Sequence, residues 1–342
     1  MKKAMLWDPH DGQTLQCRLC HHRCWIAEGG RGLCGVRVNR EGTLYTLVYN
    51  RCVAGNCDPI EKKPLYHFLP GSRAYSVATV GCNFRCLHCQ NVDISQYPWE
   101  HEEITGREFT PQQIVDAAER SGADAIAYTY TEPTVFFEYA LETARLANDR
   151  GLRNVFVTNG YITNEALDII APVLDAANID LKFFSDDAYR KVCGAKLEPI
   201  LETIRHYHEL GVWIELTTLI IPGFNDSEED LRGIARFIAD LSPAIPWHVT
   251  RFHPAYKMAD TPMTPESSVI RAWGIGREAG LHYVYVGNMH APDGDVTHCP
   301  SCDIPVINRG VFGLQETRLD NGRCPDCGAP VHGVWPDTST SG

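Results

Sequence analysis

The segment from Gly81 to Asn91 constrains this chain more than any other, because it sets Cys82, Cys86 and Cys89 in a C-x3-C-x2-C pattern within eight residues. An apolar, strand-like run over residues 75–80 precedes it, so the pattern predicts a β-strand that opens into a cysteine loop. Thiolates this close in sequence can turn inward on one metal centre, and soft sulfur ligands favour zinc or an iron–sulfur cluster. The count of three is informative. A closed structural site takes four protein ligands, whereas three leave a position for a reacting group. On a cubane cluster, cysteine would hold three irons and leave the fourth open. The competing readings are a zinc knuckle with a distant fourth ligand, or buried thiols without metal.

With 342 residues the chain can bury one large core with small appendages. A net charge of −12 argues against nucleic acid as the main partner, since phosphate binding needs a basic surface. The first ten residues carry no signal-peptide core, and no run of about 18 apolar residues predicts a membrane span. The expectation is a cytoplasmic protein, where thiols stay reduced. Its 14 cysteines therefore read as metal ligands rather than disulfides.

The distribution of cysteines predicts the architecture. Residues 1–62 form an N-terminal Cys-rich metal-binding module around Cys17, Cys20, Cys24 and Cys34. Its short turns and few apolar residues call for a metal to fold, either zinc or an auxiliary iron–sulfur cluster, and the spacing leaves both open. The run Asp58 to Pro64 reads as a polar connector. Over residues 63–292, apolar runs at 75–80, 124–129, 153–158, 177–182, 212–219, 247–252 and 281–286 alternate with helical segments. Thr110, Pro111 and Gln113 spell a capping box, Thr264-Pro265-Glu266 starts another helix, and a helix over 134–149 ends before Gly151. This alternation predicts an α/β fold with a parallel sheet and right-handed crossovers, a partial (β/α)6-type barrel rather than a closed eight-stranded one. Residues 293–342 form a zinc-ribbon-like module: Cys299 with Cys302, and Cys324 with Cys327, make two C-P-x-C knuckles 21 residues apart. The ribbon either is structural or docks a partner protein. Disorder is expected over 337–342.

Ligands of parallel α/β folds bind beyond the carboxyl ends of the strands. At those ends the sequence places the three cysteines, Thr131-Glu132-Pro133, Thr158-Asn159-Gly160, Asp180 and Lys182, Ile220 to Asp226, and Arg251-Phe252-His253. Thr217 or Thr218 lies near the same mouth. Polar groups thus recur wherever a charged cofactor would have to sit.

The cysteine loop, with His88 before its third cysteine, resembles the radical S-adenosylmethionine (SAM) superfamily. The resemblance implies a [4Fe-4S] cluster on Cys82, Cys86 and Cys89 whose open iron chelates SAM, and reductive cleavage of SAM to a 5′-deoxyadenosyl radical. Thr131-Glu132-Pro133 looks like the family's G-G-E-P segment, with Tyr130 and Thr131 in place of the glycines; Glu132 would then receive the SAM ammonium. The alternative is a carboxylate stabilised by the following helix dipole. Thr158 to Gly160, Asp180 to Lys182 and Ile221 to Asp226 are similar to runs in glycyl-radical enzyme activases of the pyruvate formate-lyase-activating type. That likeness implies cofactor contacts for Asn159, Asp180, Lys182 and His253, and an electron from flavodoxin or ferredoxin. An ion pair along a strand and a barrel-mouth histidine are the bland readings of the last three.

Across nearly the full length, Cys17 to Cys20, Cys34 to Arg37, Asp58 to Gly71, Cys89 to Asn91 and Gly333 to Trp335 resemble the AmmeMemoRadiSam-system radical SAM enzymes. That implies Memo-like and AMMECR1-like partners. Cys52 and Cys57 receive no role, and Cys193 reads as a helix-end cysteine or a radical relay. A second function class is a metal-binding adaptor that recruits partners without catalysis.

Overall fold

The computed structural model describes residues 1–310 and 313–336, so the tail expected to be disordered lies outside the described residues. At its centre is one eight-stranded sheet: β1 (Ala54–Pro59), β2 (Arg73–Ala78), β3 (Ala125–Tyr128), β4 (Arg153–Thr158), β5 (Ala176–Asp180), β6 (Trp213–Ile220), β7 (Trp247–Arg251) and β8 (Val284–Gly287). The strands lie in sequence order. β2 to β8 are parallel, and β1 pairs antiparallel with β2 at the edge. The strands are short apolar runs buried on both faces, as Ala125, Ile126, Ala127 and Tyr128 show. Parallel sheets covered by helices read this way.

The crossover helices are α1 (Pro111–Arg120), α2 (Phe137–Asp149), α3 (Asn164–Ile170), α4 (Glu198–Glu209), α5 (Glu228–Leu241) and α6 (Glu266–Glu278). Each presents an apolar stripe to the sheet; on α5, Leu231, Ile234, Ala235 and Ile238 follow the i, i+3, i+4, i+7 spacing and are buried. The Thr110–Gln113 capping box forms as expected. Thr264 does not cap α6. Its hydroxyl instead donates to the Ile220 carbonyl and accepts from the Phe252 amide, tying the ends of β6 and β7 together.

Residues 54–59, placed by sequence in the cysteine-rich block and its connector, pair along the whole of β2 and extend the central sheet before residue 63. The rest of the N-terminal block folds as two small antiparallel sheets, with Cys17 ending a strand of one, and its Arg51–Cys52 strand pairs with Arg107–Glu108. It docks through a buried ion pair, Arg37 to Glu138 of α2 at 2.9 Å, and through a bridge between Cys20 and Ile162. At the other end, strands Thr297–His298, Pro305–Gly310 and Gly313–Thr317 make a three-stranded sheet packed against Tyr283 and Tyr285.

Candidate active site

The cysteine loop leaves β2 through Gly81, whose φ is 96°. A Cβ there would stand 2.5 Å from Val36 Cγ1 and 2.9 Å from the Cys34 carbonyl oxygen, so only glycine fits the approach of the N-terminal block. The loop is then braced by backbone bonds from Arg85 N to Cys193 O and from Leu87 N to Val192 O, both 3.0 Å. Cys193 is thereby placed behind the loop, its thiol beside Cys86. The Cys193 hydrogen bond holds Cys86 below the usual thiol range against the effect of burial, and the Lys182 ammonium acts in the same sense. Burial pushes Cys82 and Cys89 up. Cys86 is thus the readiest of the three to ionise, whereas Cys82 and Cys89 need the positive charge that a bound metal would supply.

The loop forms one wall of a cavity of about 340 Å³ whose other walls come from the carboxyl ends of β3 to β7. Cys82, Cys86, His88, Cys89, Glu132, Asn159, Asp180 and Lys182 all line it, as the sequence expects. Asn159 Nδ2 donates to Asn83 Oδ1 at 2.8 Å. Lys182 Nζ donates to Asp180 Oδ2 at 2.7 Å. Burial works against the Lys182 charge, yet Asp180 and the neighbouring Cys86 and Cys193 sulfurs hold its pKa well above the ordinary value. His88 is buried, its pKa lowered to about 3 by burial and then by Lys182, so its ring is neutral. Of the threonine pair on β6, Thr217 faces the cavity, whereas Thr218 bonds the Leu181 carbonyl and Trp247 Nε1.

Two expectations are corrected in detail. His253 is exposed and absent from the cavity wall; its Nε2 lies 3.5 Å from Asn288 O, and Thr250 and Asn288 occupy that side instead. Glu132, expected to receive the SAM ammonium or else to stand as a carboxylate at a helix start, is buried and caps the turn Pro133–Phe136. It is 1% exposed, and both oxygens are already bonded: Oε1 accepts from Thr134 N, Thr134 Oγ1 and Thr158 Oγ1, and Oε2 from Asn159 N at 2.8 Å. Burial raises its pKa, and these donors oppose the rise. Its contacts join the end of β3 to the end of β4.

The structure adds groups the motifs missed. Lys63 is 3% exposed, pairs with Asp58 at 3.2 Å and lines the cavity with Lys62. The signal was the charge density of the Asp58 to Pro64 run. Tyr130 stands where a glycine occurs in the G-G-E-P pattern, and it adopts φ 65°, the left-handed conformation a glycine takes freely. Asn91 Nδ2 holds its carbonyl at 2.8 Å, and Tyr130 Oη donates to Asp58.

The three loop cysteines suit a cluster better than a single ion. Among the described residues, only Cys299, Cys302, Cys324 and Cys327 bring their ligand atoms all within 4.8 Å of one another. The Cys82, Cys86 and Cys89 sulfurs are not all within that distance of one another. Asn83 Nδ2 and His88 Nδ1, both buried beside the loop, have no partner among the described residues. The C-terminal sulfurs pair at 3.6 Å, close to the ~3.8 Å expected for 2.3 Å bonds around a tetrahedral ion.

A family profile for the radical SAM superfamily matches residues 76–238, the span from β2 into α5 that carries the cysteine loop. Those residues form a radical SAM domain. It is 45% identical over 334 residues to an uncharacterised protein of Methanocaldococcus jannaschii, covering 97% of this chain and 99% of that one. To the pyruvate formate-lyase-activating enzyme of Clostridium pasteurianum it is 24% identical over 179 residues, 50% of this chain and 71% of that one. The fold is shared with a radical SAM methyltransferase from Sphaerobacter thermophilus, at a TM-score of 0.50 and 18% identity over 64% of this chain and 67% of that one. Among the described residues, no helix is long and apolar enough to cross a membrane.

Proposed function

We propose that this protein cleaves SAM reductively and uses the radical to take a hydrogen atom from a partner protein or a small molecule. The observation that carries the reading is the convergence of Cys82, Cys86 and Cys89 with Asn159, Asp180 and Lys182 on one cavity. Cys82, Cys86 and Cys89 would hold a [4Fe-4S] cluster. That group, when bound, supplies one electron to the SAM sulfonium and so yields methionine and the 5′-deoxyadenosyl radical.

The remaining work falls to the chain. Asp180 presents a carboxylate for the SAM ammonium, with Lys182 Nζ fixing its orientation. Asn159 clamps the cysteine loop through Asn83, and Glu132 positions the Asn159 amide. Val157 and Leu219 offer apolar surface on the cavity wall for the adenine. Lys62 and Lys63 sit where a carboxylate would need a cation.

Several finer assignments belong to the same proposal. The parallel strands β2 to β8 make a partial (β/α) barrel within residues 63–292, flanked by modules 1–62 and 293–342, the first of which lends β1 to its edge. The C-terminal four cysteines hold zinc, a reading supported by their tetrahedral spacing. A flavodoxin or ferredoxin donates the electron, and the protein works in the cytoplasm with Memo-like and AMMECR1-like partners in an AmmeMemoRadiSam system. The full set of free thiols suits a reducing compartment. A non-catalytic adaptor has no use for a cavity lined by Asp180, Lys182 and Asn159 beside the loop, and the activase-like relatives also disfavour it.

Electron paramagnetic resonance of the reduced, iron-loaded protein tests the reading. Adding SAM should shift the spectrum of the parent and shift that of Asp180→Ala only at higher SAM concentration. A parent spectrum indifferent to SAM would overturn it.

A further inference from the structure

The N-terminal cysteines form a site of their own. Cys17, Cys20, Cys24 and Cys34 line a largely enclosed cavity, completed by aliphatic surface from Ile26 and Val135. Gly32 borders it, with a Cβ position in ordinary contact, 3.9 Å, with both the Cys24 and Cys34 sulfurs. The spacing of the sulfurs separates this site from the C-terminal one. A tetrahedral zinc with 2.3 Å bonds draws its sulfurs to about 3.8 Å, as the C-terminal pairs at 3.6 Å illustrate. Among the described residues no three N-terminal sulfurs come mutually within 4.8 Å. They are not drawn together around one point as the C-terminal four are.

A second observation points to what occupies it. Arg37 is 1% exposed and lines this cavity. Its terminal nitrogens are spent on Glu138 and the Met5 carbonyl, but its Nε, buried, has no partner among the described residues. A buried N–H without an acceptor is costly, and cluster sulfide or thiolate sulfur is an acceptor that the cavity would supply. The guanidinium also offsets part of the negative charge that four thiolates bring.

We infer that Cys17, Cys20, Cys24 and Cys34 hold a second cubane iron–sulfur cluster, not zinc, with all four irons closed by protein so that it binds no substrate. Each thiol gives up its proton on ligation. The site abuts the SAM cavity: His22 Nε2 lies 2.7 Å from the Asn83 carbonyl, and Thr134, on the wall of the N-terminal cavity, bonds Glu132 on the wall of the other. The inference does not depend on SAM cleavage, and its test removes the other cluster.

The test is a variant carrying Cys82→Ala, Cys86→Ala and Cys89→Ala together, reconstituted anaerobically with iron and sulfide. It should retain about four irons and about four sulfides per chain. Zinc should stay at about one per chain, and the dithionite-reduced sample should give a paramagnetic signal that SAM leaves unchanged. A variant without iron, whatever its zinc content, overturns the inference. In the converse variant, Cys20→Ala with Cys24→Ala, iron should fall from about eight to about four per chain, and the surviving signal should respond to SAM. Iron unchanged in that variant also overturns it.

Discussion

Asn159 Nδ2 donates to Asn83 Oδ1 at 2.8 Å, joining the end of β4 to the residue that follows the first loop cysteine. Asn159 Oδ1 accepts from Tyr161 N at 3.0 Å, and its own amide donates to Glu132. One side chain thus fixes the loop, the turn after β4 and, through Glu132, the end of β3. Loss of this clamp leaves buried polar groups unpaired, a cost of about 1–3 kcal/mol. Asn159→Ala should hold less iron after reconstitution and cleave SAM roughly tenfold more slowly, the rate equivalent of about 1.4 kcal/mol. Iron content and single-turnover rate matching the parent would contradict this role.

The Asp180–Lys182 pair bears on cofactor binding rather than on cluster assembly, because neither residue is a metal ligand. Lys182→Met removes the cation that neighbours Cys86 and orients Asp180. Iron content should stay at the parental level while the KM for SAM rises about tenfold or more, as expected when about 1.4 kcal/mol of binding is lost. A variant that loses iron instead would show that Lys182 supports the loop itself.

How much of this was legible in the sequence depends on the range over which each feature is determined. The cysteine loop is local: three cysteines within eight residues mark it by their spacing alone. Asp180, Lys182 and Asn159 were also legible, because the strand–helix repeat puts every strand end on the same side of the sheet. The Glu132 environment was not. Its four donors come from Thr134, Thr158 and Asn159, and the last two belong to a different strand end. His253 failed for a similar reason. The chain turns outward after β7, and Asn288, from beyond β8, takes the place on the wall. The edge strand β1 lacks alternation, reading Ala-Gly-Asn-Cys-Asp-Pro, so only its pairing with β2 reveals it.

Nearer the amino ends of the strands a buried polar network sets the pH response of stability. His67 is fully buried, with Nδ1 against the His332 carbonyl at 2.7 Å and Nε2 against the Tyr285 hydroxyl. Burial lowers its pKa to about 3, from about 6.5 when unfolded. Glu215 lies beside it and accepts from the Tyr66 and His67 amides and from His248. Burial would raise the Glu215 pKa, but His248 and the other donors bring it below the ordinary carboxylate value. Both folded-state values are depressed, so both groups contribute stability that is present above their unfolded pKa and lost on acidification. For His67 the window runs from about pH 6.5 down to about 3, at roughly 1.4 kcal/mol per pH unit. The Glu215 contribution is lost below about pH 4.3. Unfolding measured between pH 7 and pH 5 should become easier with acid in the parent, and the slope should flatten in His67→Gln. The paired comparison separates this effect from the acid lability of metal–thiolate bonds, which both chains share. Equal slopes would contradict it.

The account stands on SAM cleavage at the Cys82, Cys86 and Cys89 loop, and one measurement addresses that directly. The parent and a Cys86→Ala variant are reconstituted anaerobically, mixed with dithionite and SAM, and assayed for 5′-deoxyadenosine by chromatography. The parent should form 5′-deoxyadenosine and methionine in equal amounts, and Cys86→Ala should form none above the protein-free background. No product from the iron-loaded parent, or equal product from both chains, would contradict the assignment of this loop as the reactive centre.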